Sequence, residues 1–183
     1  MVSITRGLLT MAKLITPFRD KYPDIHPDAF VDLSARVIGG VTIEEGANIW
    51  PMAVLRADSA DIHIGRNAAI LDLALIEAPA GHPVTIEEGA IISHRAVIHG
   101  ARIQGNVLVG IGAIILDGAI IFSGSIIGAG CVVPPGAKIS PNSLVMGMPG
   151  KVIRKTTGKE RALILEQIHE LYTKSLLYKK IAQ

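Results

Sequence analysis

The sequence predicts a mainly β fold, a parallel β-helix built from six-residue repeats and followed by one α-helix. From Val31 onward, with steps of six residues, two insertions and one deletion, 19 successive positions are all Ile, Val or Leu. Two residues before each of them, 12 of the 19 positions are Ala, and only Ile62 is bulky. Residues two apart on a strand point to the same face, so each repeat sends one branched and one small side chain into the core.

The other positions of each repeat are often Gly, Asp, Glu or Asn, as turns require. A period of six fits neither a continuous helix nor simple strand alternation. The pattern resembles that of the hexapeptide-repeat proteins, in which three short strands per coil form a left-handed triangular prism. The resemblance implies a left-handed β-helix of a little over six coils, with neighbouring coils roughly 4.8 Å apart.

The chain divides into four segments that together make one domain. Residues 1–30 are an N-terminal segment, and residues 31–145 form the β-helix. Residues 146–156 are an exit segment. Residues 157–183 form the C-terminal helix, which opens with the Thr-x-x-Glu pattern of a capping box and continues with apolar residues at helical spacing.

Charge and cysteine content limit which partners and which cellular compartment we expect for this protein. The net charge of +2, from 18 basic and 16 acidic residues, gives no case for a nucleic-acid or membrane partner. The single cysteine, Cys131, excludes an internal disulfide framework and indicates a reducing, cytoplasmic compartment. No apolar run reaches the roughly 18 residues of a membrane span, and no signal peptide is recognisable. Met11 is a second possible start, which would make residues 1–10 an upstream extension.

The repeat register places polar side chains on the outside of the prism. Every third repeat belongs to the same face, so Arg56, Glu77 and His99 form an outward column, one coil apart. Asp72 and His94 stack on a different corner. Glu77 and His99 can share a metal ion, whereas His94 of the same subunit cannot reach it. In a threefold assembly, His94 of one subunit meets Glu77 and His99 of another.

Three segments resemble the gamma-class carbonic anhydrases. Residues 48–58 (NIWPMAVLRAD) are similar to NVWPGAVLRGD, residues 93–100 (SHRAVIHG) to GHxAxLHG, and residues 147–154 (GMPGKVIR) to GxPAKxxR. The resemblance runs nearly end to end, and the His-x4-His segment is its most specific part. In that family, three histidines from two subunits of a trimer hold a zinc or iron ion, and a bound water attacks CO₂.

The resemblance implies a homotrimer that acts on CO₂ or bicarbonate, with a zinc or iron ion at Glu77, His94 and His99. It also matches Arg56 and Asp58 to the interface Arg and Asp of the family, and Asp72 to an Asp near the reacting water. For Arg56 and Asp58, a structural ion pair is the alternative to a catalytic role. For Asp72, an interface or turn carboxylate is the alternative.

Two residues depart from the family pattern. Glu77 stands where the family has its first histidine ligand, and Leu71 stands where it has a Gln beside the reacting water. Two histidines and one carboxylate are a known ligand set for zinc and iron. An anionic ligand lowers the net charge at the ion and raises the pKa of its bound water, so we expect CO₂ hydration to be weak or lost. Alternatively, Glu77 only pairs with Arg56.

Three functions remain open at this stage. The first is a carbonic anhydrase-like lyase or a related metal-dependent hydrolase. The second is a hexapeptide acyltransferase, with a loop histidine as the base. The third is a non-catalytic trimeric assembly subunit that has lost the ligand set. His82 lies in an insertion between repeats, where it either supplies a missing imidazole or is an exposed loop residue.

Overall fold

A computed structural model describes residues 14–181, and these form a left-handed parallel β-solenoid of about seven turns with a single C-terminal helix. The predicted fold class is therefore confirmed. In chain order the elements are β1 (Ile15–Thr16), β2 (Asp24–Ile25), β3 (Phe30–Val31), β4 (Arg36–Ile43), β5 (Asn48–Ile49), β6 (Val54–Ile64), β7 (Ala69–Ile70), β8 (Leu75–Glu77), β9 (Val84–Ile86), β10 (Ile91–Ile92), β11 (Val97–His99), β12 (Arg102–Ile103), β13 (Leu108–Val109), β14 (Ile114–Ile115), β15 (Ile120–Ile121), β16 (Ile126–Ile127), β17 (Val132–Val133), β18 (Lys138–Ile139), β19 (Ser143–Met146), β20 (Lys151–Lys155) and α1 (Gly158–Ile181).

Each coil contributes one strand segment to each of three faces. The first face contains β8, β11, β14 and β17, the second β9, β12, β15 and β18, and the third the strands from β3 to β20 that form an eight-stranded sheet. The long strands β4 and β6 each bend from the first face onto the second. Consecutive coils pair in parallel, so backbone groups inside the stack bond to the coils above and below.

The stack begins earlier than the repeat pattern does. β1 pairs with β4 at Ile15 and Val37, and β2 pairs with β4 at Ile25 and Ile43. Residues 15–31 therefore form a first coil, although only its last repeat, with Ala29 and Val31, follows the branched-and-small pattern. An end coil packs against a neighbour on one side only, which relaxes the requirement for an interior side chain at every sixth residue.

The predicted inward positions form the core. The alternating branched and small residues are almost all fully buried and make one continuous cluster along the prism. Ile62, the one bulky residue at a small position, is accommodated where β6 turns from the first face to the second. Cys131 is buried in the same row, and burial raises the pKa of its thiol.

The helix α1 packs along the third face. Ile164 is buried, and Ile168 and Leu171 pack with it against a second apolar cluster that includes Trp50 and Leu71. The predicted capping box is confirmed, because Glu160 accepts a bond from the Thr157 backbone N–H and Thr157 Oγ1 accepts one from the Glu160 N–H. Among the described residues, no helix combines the length and apolar character needed to cross a bilayer.

Glycines at one corner of the prism let α1 approach. This corner carries Gly and Asn alternately, all with positive φ: Gly46, Asn67, Gly89, Asn106, Gly124 and Asn142. A Cβ on Gly89 would lie 2.7 Å from Asn106 Oδ1 and 3.2 Å from Ile168 Cδ1. The helix therefore sits on alternate coils that have no side chain at the corner.

We expect Gly89→Ala to lower the free energy of unfolding by about 2 to 3 kcal/mol, since it adds a clash to a left-handed backbone conformation. Gly130→Ala is the matched control, because Gly130 has the same φ of 65° and nothing within 4 Å of the new Cβ. The control should lose only about 1 to 2 kcal/mol. Chemical denaturation measures both changes, and equal losses would show that the helix contact does not matter.

Candidate functional site

The outward column predicted on the first face is present. Arg56 is in register with Glu77 across β6 and β8, and Glu77 is in register with His99 across β8 and β11. The column arises because each residue follows a buried branched residue at the same place in three successive coils. All three side chains are partly exposed on the outer surface of the prism.

Arg56 joins two carboxylates. Its guanidinium contacts the Glu77 carboxylate directly, and its Nη1 donates to Asp58 Oδ2 over 3.0 Å. The bond to Glu77, which is the largest contribution, and the bond to Asp58 raise the pKa of Arg56 above its ordinary value despite partial desolvation. The pairing of Glu77 with Arg56, one of the two roles considered for Glu77, is thus formed within the chain. This ion pair uses Oε1 of Glu77, so Oε2 faces His99 in the next coil.

His99 lies between two carboxylates. Its Nδ1 contacts Oδ1 of Asp117, and its Nε2 is 3.8 Å from Glu77 Oε2. Asp117 was not predicted as a site residue. Ile98 is in register with Ile115, which places Leu116 opposite His99 and Asp117 opposite Gly100. A Cβ on Gly100 would lie 2.7 Å from Asp117 Oδ1, so the glycine leaves room for the Asp117 carboxylate to reach His99.

His94 occupies a neighbouring corner and has the same kind of partner. Its Nδ1 lies 3.0 Å from Oδ2 of Asp72, one coil below, and about half of the imidazole is exposed. The corner is held by backbone bonds between coils, including Arg95 N–H to the Asp72 carbonyl. Asp72 is therefore the orienting partner of His94 within the subunit.

A single subunit does not bring the three predicted ligands together. Within residues 14–181, no three His, Cys, Asp or Glu side chains are close enough to hold one ion. The repeat register predicted this separation, because His94 belongs to a different corner from Glu77 and His99.

The donors present fit a zinc or iron ion. Ligand distances of about 2.0 to 2.2 Å put two ligands of one tetrahedral ion roughly 3.3 to 3.5 Å apart, close to the 3.8 Å between Glu77 Oε2 and His99 Nε2. Metal-binding histidines usually hold a carboxylate or carbonyl through the other ring nitrogen. His99 and His94 both do so through Nδ1, which leaves the other ring nitrogen, Nε2, available to a metal ion.

The first face is also the apolar one. The outward residue before each buried branched residue is aliphatic in five successive coils, and all five side chains are half-buried: Val54, Leu75, Val97, Ile114 and Val132. Exposed apolar side chains continue onto the corner beside His94: Leu33, Met52, Leu73 and Ile111. The equivalent column on the second face is polar apart from Ile120: Thr42, His63, Thr85, Arg102 and Lys138. Within residues 14–181, α1 covers the third face, and no described element covers the apolar face that carries the site column.

Comparison with known proteins identifies the family. No family model matches the chain. Over 170 residues, or 93% of each chain, it is 39% identical to "Carbonic anhydrase" of Geobacillus kaustophilus (strain HTA426). Over 132 residues, or 72% of this chain and 83% of the relative, it is 51% identical to "Probable carbonic anhydrase" of Methanocaldococcus jannaschii. The chain belongs to the gamma carbonic anhydrase, YrdA and CaiE family.

A solved structure supports the same assignment. The crystal structure of a putative acetyltransferase, the product of the BC4754 gene of Bacillus cereus, superposes with a TM-score of 0.90 at 34% identity. The match covers 91% of this chain and 97% of that one. The predicted resemblance to gamma carbonic anhydrases is confirmed, and these relatives are named for more than one activity.

Leu71, where the gamma carbonic anhydrases were expected to have a Gln, is an apolar contact of the helix. It is buried with Trp50 and Ile164, next to Asp72. An open cavity of about 370 Å³ lies beside it, between α1 and the corner that carries His94. Leu71 therefore offers no hydrogen-bonding group to this corner.

His82 lies beside the site column. A Cβ on Gly100 would be 2.7 Å from both His82 Cβ and Asp117 Oδ1, so the insertion folds over the coil next to His99. The His82 side chain is exposed. His82 is thus an exposed loop residue next to the coil that carries His99.

Proposed function

We propose that the protein is a trimeric gamma carbonic anhydrase-like metalloenzyme, with one metal ion per subunit interface and weak hydration of CO₂. Glu77 and His99 of one subunit and His94 of its neighbour would hold the ion. The observation that carries the proposal is the shared environment of the two imidazoles. Each has a carboxylate at Nδ1, Asp117 for His99 and Asp72 for His94, which fixes the tautomer with Nε2 as a ligand atom.

The distribution of apolar surface supports a threefold assembly. The uncovered aliphatic column, including Leu75, Val97 and Ile114, runs alongside the site column, and exposed Leu73 and Ile111 flank His94. Contiguous apolar surface of this kind is typical of an interface. A heterologous contact that closes after three subunits would cover both surfaces and bring His94 of one chain to Glu77 and His99 of the next.

Each residue has a defined task in this proposal. A bound zinc or iron ion supplies Lewis acidity that lowers the pKa of a coordinated water toward neutrality. Arg56 and Asp58 hold the Glu77 carboxylate by an ion-pair chain, so that Oε2 faces His99. Leu71, which replaces an amide, offers no group to orient a water or bicarbonate.

Two features favour weak CO₂ hydration over the efficient reaction. The Glu77 carboxylate lowers the net positive charge of the site and so favours the protonated form of a coordinated water. The apolar Leu71 leaves the reacting groups less well oriented, and orientation is a large part of catalysis.

The proposal is tested by restoring the family residues. Stopped-flow CO₂ hydration by metal-loaded Glu77→His and by Glu77→His/Leu71→Gln should rise at least tenfold and further in the double variant. Metal content of chelator-free preparations is measured in parallel. Wild-type protein without metal, together with no gain in either variant, would refute the proposal.

Removal of Asp117 should weaken metal binding without unfolding the prism. We expect Asp117→Ala to lower the affinity for zinc about 10- to 100-fold, because His99 loses the carboxylate that fixes its ring. Asp61→Ala is the control, since Asp61 pairs with Lys21 away from the site. Chelator competition measures both affinities, and an equal effect in the two variants would contradict the role given to Asp117.

A second function, a non-catalytic assembly subunit, is favoured by one contact. Arg56 already neutralises Glu77 within the subunit, so the column needs no metal ion to balance the charge of this carboxylate. In that case, purified trimer contains no metal. An acyltransferase is a third function, since the Bacillus cereus relative of known structure is named a putative acetyltransferase. Calorimetry with an acyl-CoA tests it.

A further inference from the structure

Charge is separated along the axis of the prism, although the whole chain is nearly neutral. Residues 14–117 contain 13 acidic and 7 basic residues. Residues 118–161 contain 6 basic residues and one acidic residue, Glu160. Because a solenoid stacks the chain in sequence order, this division along the sequence is also a division in space.

The basic residues meet at the C-terminal end of the prism. Lys138 lies on β18, the last strand of the large sheet, and β20 closes the smaller sheet with Lys151, Arg154 and Lys155. The one carboxylate there, Glu160, is paired in a bidentate bond with Arg154. That pairing, with the capping bonds from Thr157, lowers the pKa of Glu160 to about 2. Glu160 therefore neutralises only Arg154 and leaves the lysines as free positive charge.

The same end carries exposed aliphatic side chains. Met148 is 75% exposed and Ile153 is 60% exposed, and they stand beside Lys151 and Lys155 on the terminal hairpin. All five residues of β20 are exposed, so neither side of this strand is covered by the prism. Lysines interleaved with exposed aliphatic side chains are the composition of a surface that rests on an anionic bilayer.

We propose that this basic end, formed by β18 and the β19–β20 hairpin, docks on membranes that contain anionic lipid. Lysines lie at the headgroups, while Met148 and Ile153 enter the interface between headgroups and acyl chains. Exposed aliphatic groups favour lipid over nucleic acid, since single-stranded nucleic acid is bound by aromatic stacking and duplex by polar contacts. In the proposed threefold assembly, three such ends face the same side, so the trimer binds through three contacts at once.

The test is co-sedimentation of the full chain with phosphatidylcholine vesicles, with and without phosphatidylglycerol. We expect binding only when phosphatidylglycerol is present and a decline with added salt. Lys138→Glu/Lys151→Glu should reduce partitioning at least tenfold, since each lysine near the surface contributes roughly fivefold. Met148→Ser/Ile153→Ser should reduce it several-fold and leave the salt dependence unchanged.

Lys174→Glu/Lys180→Glu is the matched control, because it makes the same charge change on α1, toward the opposite end of the prism. This variant should keep at least half of the wild-type binding. The proposal would be overturned by an equal loss of binding in the control, by equal binding to both kinds of vesicle, or by stronger binding to duplex DNA at the same salt concentration. A larger oligomer that buries Met148 in a protein interface, in place of lipid, would also overturn it.

Discussion

Metal affinity should fall about a hundredfold or more when His94 is replaced by alanine, with no loss of the fold. His94 supplies one of three protein ligands in the proposed site, and each ligand adds strongly to the affinity. Its side chain is half-exposed and contributes nothing to the prism core. Chelator competition measures the affinity, and His63→Ala is the control, since His63 is paired with Glu44 on the polar face.

Mixing variants tests whether the ligands come from two subunits. Chains with His94→Ala and chains with His99→Ala each lack one ligand at every interface. When both kinds assemble together, an interface is intact where the first kind supplies Glu77 and His99 and the second supplies His94. Roughly a quarter of the sites should then recover metal. Mixed trimers with no recovery would show that the site is not shared as proposed.

Trimer dissociation is the second large effect expected, from Val97→Asp. Val97 lies in the middle of the uncovered aliphatic column, between Leu75 and Ile114 in the neighbouring coils. Burying an unpaired carboxylate in an apolar interface costs a few kcal/mol, and the charge is repeated at each of the three interfaces. Sedimentation equilibrium should therefore find Val97→Asp as a monomer at concentrations where we expect the wild type to be a trimer, and metal binding should be lost with the trimer.

Thr85→Asp is the matched control for this change. Thr85 occupies the equivalent outward position on the second face, before Ile86 as Val97 precedes Ile98. The second face is polar, so we expect the control to remain a trimer with its metal. Dissociation of both variants, or of neither, would assign the interface to another surface.

The sequence was sufficient to predict the prism and the column on its first face. The six-residue spacing of branched residues sets the core and the outer column together. The register that buries Ile76 also places Glu77 beside Arg56 of the preceding coil. The separation of His94 from Glu77 followed from the same counting. These predictions held because backbone pairing between coils leaves little freedom in register.

The rest depended on interactions that the repeat does not encode. The first coil, from Ile15, was missed because an end coil needs no regular interior residue. Asp117 was missed because the register places Leu116 opposite His99, whereas Asp117 reaches His99 from the position opposite Gly100. The choice of Oε1 of Glu77 by Arg56 is a matter of side-chain rotamers, which no spacing specifies.

Charge was the least predictable property. The total of +2 argued against acidic partners, yet the stack separates the acidic coils from a basic end. A summed charge describes solubility, whereas recognition depends on where the charges lie. In a solenoid, the sequence itself gives the distribution of charge along the axis, because the coils stack in sequence order.

Native mass spectrometry of protein purified without chelators tests the central claim most directly, since it reports subunits and metal ions together. We predict a trimer that carries three zinc or iron ions and loses them when Val97→Asp separates the subunits. A monomer that retains its metal, or a wild-type trimer that takes up none when zinc or iron is supplied, would contradict a site shared between subunits.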